Sequence, residues 1–242
     1  MTTSQPAQRA RRMPRQPSEP LLRSGHSLIL SSVVTSSIGL AFWVLAAHRY
    51  RPSVVGADAV ALTTLAFLSG VAQLNLAGAL TRFVPVAGTK RGRFIVGSYA
   101  ASAAVSTVLS IAFLCFATRI SPSFAFLRGS LRVEAWWVIS AIAWGVFVLE
   151  DGALVGLRRS RWVPIENAAF SIIKLVLVVA LASLLRRSGI FYAWTIATVA
   201  TVIPLNFYLF TRAVPEEAVR APEGDVSIAH LARYVPCDYL AA

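Results

Sequence analysis

Six stretches of about 20 residues, nearly free of charge, recur along this 242-residue chain. They run approximately over 27–47, 59–80, 94–117, 135–157, 163–185 and 190–211. A helix of that length crosses a bilayer core, and the alternating pattern of a membrane barrel is absent. Inside hydrocarbon every backbone N–H and C=O needs a partner within the chain. The expected fold is therefore all-α, a polytopic membrane bundle of six transmembrane helices. Composition agrees, with 56% hydrophobic and 14% charged residues, more apolar than an ordinary soluble domain.

The formal net charge of +12 raises nucleic acid as a partner, but most of the positive charge lies between the apolar blocks. There it sets topology, and no compact soluble domain is left to bind nucleic acid. Placing the N-terminus inside puts fifteen Lys and Arg on the inner side and seven on the outer side. The expected location is the plasma membrane, multi-pass, with both termini cytoplasmic. Residues 1–24 hold five arginines and one acid, and are expected to form a disordered basic cytoplasmic arm. The apolar block after it exceeds a signal-peptide core, so it should stay as an anchor. Residues 25–212 then make the six-helix transmembrane lobe. Residues 213–242 read as a cytoplasmic linker with Glu216, Glu217, Glu223 and Asp225, followed by the start of a truncated further helix in VSIAHLARYVPCDYLAA.

Polar groups within the blocks are the candidate functional residues. GVFVLEDGALVGLRR puts Glu150 and Asp151 side by side in the inner half of the fourth span. One reading has both carboxylates reaching the interface to meet Arg158, Arg159 or Arg161. The other has them lining a hydrated cavity. WVPIENAAFSIIKLVLVVALASLL places Glu166 and Asn167 near the inner end of the fifth span and Lys174 near mid-membrane. Asn167 and Lys174 differ by only about 20° around a helix, and Glu166 lies within about 80° of Lys174. The expected partners of Lys174 are Asp151 and Glu150, as a structural ion pair or as part of a polar cavity. Gly152 and Gly156 suit close helix contact, and Gln73 and Asn75 suit hydrogen bonds across helices. Pro204 and Asn206 interrupt the sixth span as a kink or a hinge. Trp43, Trp136, Trp137 and Trp194 fall toward the outer span ends, where interfacial aromatics sit. Cys115 and Cys237, and His26 and His48, form no metal or disulfide pattern. No phosphate loop, nucleophile elbow or cofactor motif is present.

Three stretches carry a resemblance. SSIGLAFWVLAAHRYRPSVVGADAVAL, QLNLAGALTRFVPVAG and LEDGALVGLRRSRWVPIENAAFSIIKLVLVVALASLL resemble the oligosaccharide flippases of the multidrug/oligosaccharidyl-lipid/polysaccharide exporter superfamily. The likeness spans about residues 25–240. It implies one lobe of a two-lobe transporter that moves polyprenyl-diphosphate-linked oligosaccharide across the cytoplasmic membrane in polysaccharide biosynthesis. By position, Arg82, Lys174 and Asn167 become candidates for binding substrate. Glu150, Asp151 and Glu166 become candidates for cavity hydration or ion coupling. The resemblance also implies partners: the bilayer, the lipid-linked glycan, and a second lobe or a homodimer. Six spans make a single lobe, so a truncated product without activity of its own is the expectation, with dimerisation or pairing as the alternatives.

Two rival functions stay open. An ion-coupled small-molecule exporter of the same superfamily would use the acids as a proton or sodium site. A non-transporting scaffold for glycan assembly would use none of them. A Mg²⁺-dependent membrane enzyme fits less well, because adjacent acids diverge by about 100° on a helix. The expectation is a protein that is not an enzyme, without metal or cofactor.

Overall fold

The computed structural model describes residues 36–220. These form eight α-helices and no strand: α1 (36–49), α2 (Pro52–Ala72), α3 (Leu76–Phe83), α4 (Arg91–Ile120), α5 (Leu131–Gly156), α6 (Trp162–Leu184), α7 (Gly189–Tyr208) and α8 (Val214–Arg220). Five described helical segments are long and apolar enough to cross a membrane: Pro52–Ala72, Gly88–Ile120, Leu131–Gly156, Trp162–Leu184 and Gly189–Glu217. The chain is an all-α polytopic membrane bundle. Residues 27–35 of the first apolar block, the arm at 1–24 and the tail beyond 220 lie outside the described residues.

Local chemistry sets the helix ends. Pro52 opens α2 at a position where its missing N–H costs nothing. The second block, expected at 59–80, is instead split. Leu74 (φ 48°) and Asn75 (φ 58°) are left-handed, a conformation that Asn tolerates and that stops a helix. Gln73 and Asn75 thus fall at a break between α2 and α3 rather than inside one continuous span. Two 3₁₀ turns, Val84–Val86 and Gly88–Lys90, lead into α4. After α5, Arg158 is left-handed (φ 55°), and Arg159 N–H bonds Leu154 O at 2.8 Å, turning the chain into α6. The sixth block runs longer than expected: α7 passes through Pro204 into a π-helical turn, Leu209–Ala213, and on into α8.

α5 is the central helix, packed against α2, α3, α4, α6 and α7. Its small residues permit this. A Cβ on Gly152 would fall 2.6 Å from Ala77 O, and one on Gly156 would fall 2.7 Å from Leu80 O, so α3 lies directly on α5. On the α4 side, Ser98, Ser102, Ser106 and Ser110 are buried at successive four-residue steps, and Gly145 meets Ser102 and Ser106. Hydrogen bonds tie other helices to α5: Ser69 Oγ donates to Ala141 O at 3.0 Å, and Ser140 and Thr195 hydroxyls meet at 2.8 Å. Small residues and hydroxyls replace the hydrophobic drive that lipid cannot supply. The outward faces are apolar, with Phe67 at 68% and Phe207 at 71% exposure, as a lipid-facing surface requires.

One expectation is corrected here. Trp137 is fully buried, stacked between Phe113 and Phe191, and Trp194 packs on Phe42, Trp144 and Phe170. These indoles pack into the core rather than at the interface, because bulky rings fill the space between the helices.

The α3–α5 contact yields a test. Gly152→Ala should lower the thermal midpoint of the detergent-solubilised protein by an amount matching about 1–3 kcal/mol of overpacking. Gly97→Ala, whose Cβ meets nothing within 4 Å, should leave the midpoint unchanged or slightly raised.

Candidate functional site

Glu150 and Asp151 sit in the half of α5 that ends at Gly156. Gly152 faces α3, and Glu150 lies about 200° around the helix from it, so the close α3 contact turns Glu150 toward α7. Glu150 is fully buried and Asp151 half-buried. From α7, Asn206 donates one N–H to Glu150 Oε1 and another to Val202 O at 3.1 Å. From α6, Glu166 is 4% exposed and its carboxylate lies beside that of Glu150, close enough for the two to interact electrostatically. Tyr99 on α4 lies within electrostatic reach of all three acids. The structure thus gathers Glu150, Asp151 and Glu166 into one cluster and adds Tyr99 and Asn206.

The cluster is under-bonded. Glu150 Oε2, Asp151 Oδ1, both Glu166 oxygens, Asn206 Oδ1 and the Tyr99 hydroxyl are buried without a hydrogen-bond partner among the described residues. Two ionised carboxylates present acceptors only and cannot bond to each other. Excluding them from water uncompensated is expensive, unless a proton, a cation or water joins them. Glu166 also borders a cavity of about 310 Å³ between α6 and α7, lined with Trp162, Ile165, Thr201, Pro204 and Tyr208. Pro204 has no N–H to offer the preceding turn, and it opens this wall two residues before Asn206.

Lys174 is elsewhere, which corrects the expected pairing. Its Nζ lies 4.4 Å from the Trp194 ring centroid, 4.7 Å from Phe170 and 5.3 Å from Phe42. No ion pair joins it to Asp151 or Glu150 among the described residues. Its 7% exposure is made tolerable by three π faces, each attracting a desolvated cation by about 2 kcal/mol. Snorkelling toward the arginines is also not seen. Arg159 pairs with Glu216 of α8, and Glu150 and Glu166 turn inward.

The remaining candidates do not join this cluster. Arg82 is exposed in the last turn of α3, with its guanidinium 5.6 Å from the Phe83 ring. Asn167 returns its N–H to Val163 O in its own helix at 3.0 Å. No group of three or more His, Cys, Asp or Glu suited to a metal ion occurs among the described residues.

At the opposite end of the bundle, Asp58 of α2 is fully buried and accepts the Phe191 N–H at 3.2 Å. It caps the first turn of α7 from another helix, where a negative charge meets the positive end of the dipole. Beside it, Tyr50 donates to Val178 O at 3.0 Å, and its ring lies against Gly189, where a Cβ would meet the hydroxyl at 2.3 Å. Burial pushes the Tyr50 phenol up to about 12, with the Asp58 charge adding to it. Its contribution to stability is complete below pH 10 and fades as pH rises toward 12. Asp58 had a sequence signal, an acid at the edge of an apolar block with no basic side chain one helical turn away. Tyr99 had none, since a tyrosine in an apolar helix reads as core.

No protein-family model, no curated protein and no solved structure matches this chain.

Asp58→Ala removes the acceptor of a buried N–H, and should cost about 1–3 kcal/mol of stability. Asp58→Asn keeps a carbonyl oxygen there and should cost less. Thermal melts of the purified variants measure both.

Proposed function

We propose that this chain is one lobe of a membrane transporter, not an enzyme, and that Glu150, Asp151 and Glu166 form its proton-coupling site. The observation that carries the reading is the burial of Glu150 and Glu166 side by side inside the bundle, with three of their four oxygens lacking a donor among the described residues. A proton shared between them supplies the missing hydrogen bond and removes one of two like charges. Without a three-ligand group, the pair suits a proton better than a metal ion. Ionisable groups inside a membrane helix bundle mark ion and substrate pathways as a rule. The neighbouring Pro204 and the π-helical turn supply a segment of α7 able to change shape as the pair changes charge.

The proposed cargo follows the resemblance to oligosaccharide flippases: a polyprenyl-diphosphate-linked oligosaccharide, moved across the plasma membrane from an inner side that holds both termini. Supporting it, the α6–α7 cavity beside Glu166 is mostly apolar, which suits an acyl or prenyl chain. Lys174 would meet the diphosphate by exchanging ring contacts for charge-assisted hydrogen bonds. The separation of Lys174 from the acids favours one alternative, an ion-coupled small-molecule exporter in which the lysine only holds α1, α6 and α7 together. On either reading the lobe works with a second lobe or a second copy.

The test is transport in cells lacking the native gene, scored by leaflet accessibility of labelled lipid-linked glycan and by dye efflux. Glu150→Gln and Glu166→Gln should each lower transport about tenfold or more and flatten its pH dependence, as expected for a general proton carrier. Lys174→Met should abolish glycan movement but spare dye efflux. Full activity of the Glu150→Gln/Glu166→Gln double variant would sink the coupling site.

A further inference from the structure

We propose that a second site, at the end of the bundle where α1 turns into α2 and α6 ends, binds a phosphate-type oxyanion through Arg49, Arg51, Arg186 and Arg187. These four arginines line a cavity of about 760 Å³ together with Tyr50 and Ser53. Small-ligand sites occupy about 300–1,000 Å³. The cavity lies at the other end of the bundle from the Glu150 cluster, and its assignment does not depend on the transport reading.

Charge accounting makes the case. No acid lines the cavity, and no ion pair engages any of the four arginines among the described residues. The nearby acid, Asp58, is buried beneath and committed to the first turn of α7. Glu134, on the first turn of α5, is paired with Arg128 at 3.3 Å. Helix ends offset little of the positive charge. The C-termini of α1 and α6 contribute about −0.5 each, and the N-terminus of α2 contributes about +0.5. Four full positive charges therefore face one concavity almost uncompensated.

Helix capping alone does not explain the arrangement. Arg49 ends α1, and Arg186 and Arg187 follow the C-terminus of α6, where cations are favoured. Arg51 does not: it is the N-cap residue of α2, a helix with no acid in its first turn and no side-chain cap. A cation there opposes the dipole, and the cost falls if an anion sits between Arg51 and the Ser53 N–H, since Pro52 has no N–H and the Val54 N–H already bonds Arg51 O at 2.9 Å. Ser53, in that turn, adds a hydroxyl donor at the cavity wall. All four cations are arginines, whose planar fork bonds two oxygens of one phosphate. The shared chemistry is a phosphate oxyanion, from an anionic phospholipid headgroup or from a diphosphate on a soluble or lipid-linked molecule.

The experiment uses the whole chain in phosphatidylcholine nanodiscs titrated with sodium pyrophosphate. A parallel arm reconstitutes the chain into vesicles of equal parts phosphatidylcholine and phosphatidylglycerol and measures co-purified lipid by mass spectrometry. Native protein should bind pyrophosphate with an affinity that falls as salt rises, or retain phosphatidylglycerol over phosphatidylcholine. Arg186→Ala/Arg187→Ala should weaken that binding at least tenfold, while circular dichroism stays helical. Arg51→Gln is the second variant, should the double change impair folding, and should weaken binding severalfold. Loss confined to the pyrophosphate arm identifies a diphosphate source, and loss confined to the lipid arm identifies a headgroup. Absence of binding in both arms, or equal binding by native protein and both variants, overturns the site.

Discussion

Two carboxylates enclosed in an apolar helix bundle, Glu150 and Glu166, with the half-buried Asp151 beside them and no ion pair to a cation among the described residues, are the constraint around which the structure is arranged. A bilayer-embedded chain can keep such groups only by turning them away from lipid and toward protein or water. The packing achieves this in two ways. Gly152 and Gly156 bring α3 onto one side of α5 so closely that no side chain fits between them. Glu150 is then left on the side facing α6 and α7, where Asn206 supplies its one donor among the described residues. What remains unbonded is Glu150 Oε2, Asp151 Oδ1 and both oxygens of Glu166.

The lysine and the acids illustrate two different solutions to the same burial problem. Lys174 is surrounded by Phe42, Phe170 and Trp194, so its charge is met by ring quadrupoles drawn from three helices. The acids have no such partner, because the negative face of an aromatic ring repels a carboxylate. A buried cation can therefore be structural while a buried acid cluster stays poised for a proton. The bundle accordingly has two ends with distinct chemistry. One end holds the acid cluster and the π-helical turn, and the other the Asp58–Tyr50 lock and the four-arginine cavity.

Much of this was legible in the residues. The apolar blocks specify crossing helices whatever their tertiary contacts, since hydrocarbon permits little else. Glu150, Asp151 and Glu166 stood out because charge inside such a block is costly, and they do converge. The failures are equally physical. Opposite charges on adjacent spans suggested a Lys174–Asp151 pair, but the partner of a cation can be a ring, and Phe42 and Trp194 lie far away in sequence. The break at Leu74 and Asn75 escaped notice because backbone handedness at a non-glycine residue leaves only a weak mark. Trp137 was misplaced because an indole suits a membrane interface and a tight core alike. The four arginines were visible individually, but only the fold brings 49–51 and 186–187 to one cavity.

Proton coupling requires Glu150 and Glu166 to share a proton in a water-accessible part of the bundle. Infrared difference spectroscopy of the reconstituted protein addresses it directly, by following the carboxylic-acid carbonyl band through a pH step in H₂O and in D₂O. A shared, exchangeable proton should give a pH-dependent band that shifts on deuteration and disappears in the Glu150→Gln/Glu166→Gln variant. A band that ignores pH and deuterium, or that persists unchanged in the double variant, would show that the pair neither holds nor exchanges a proton.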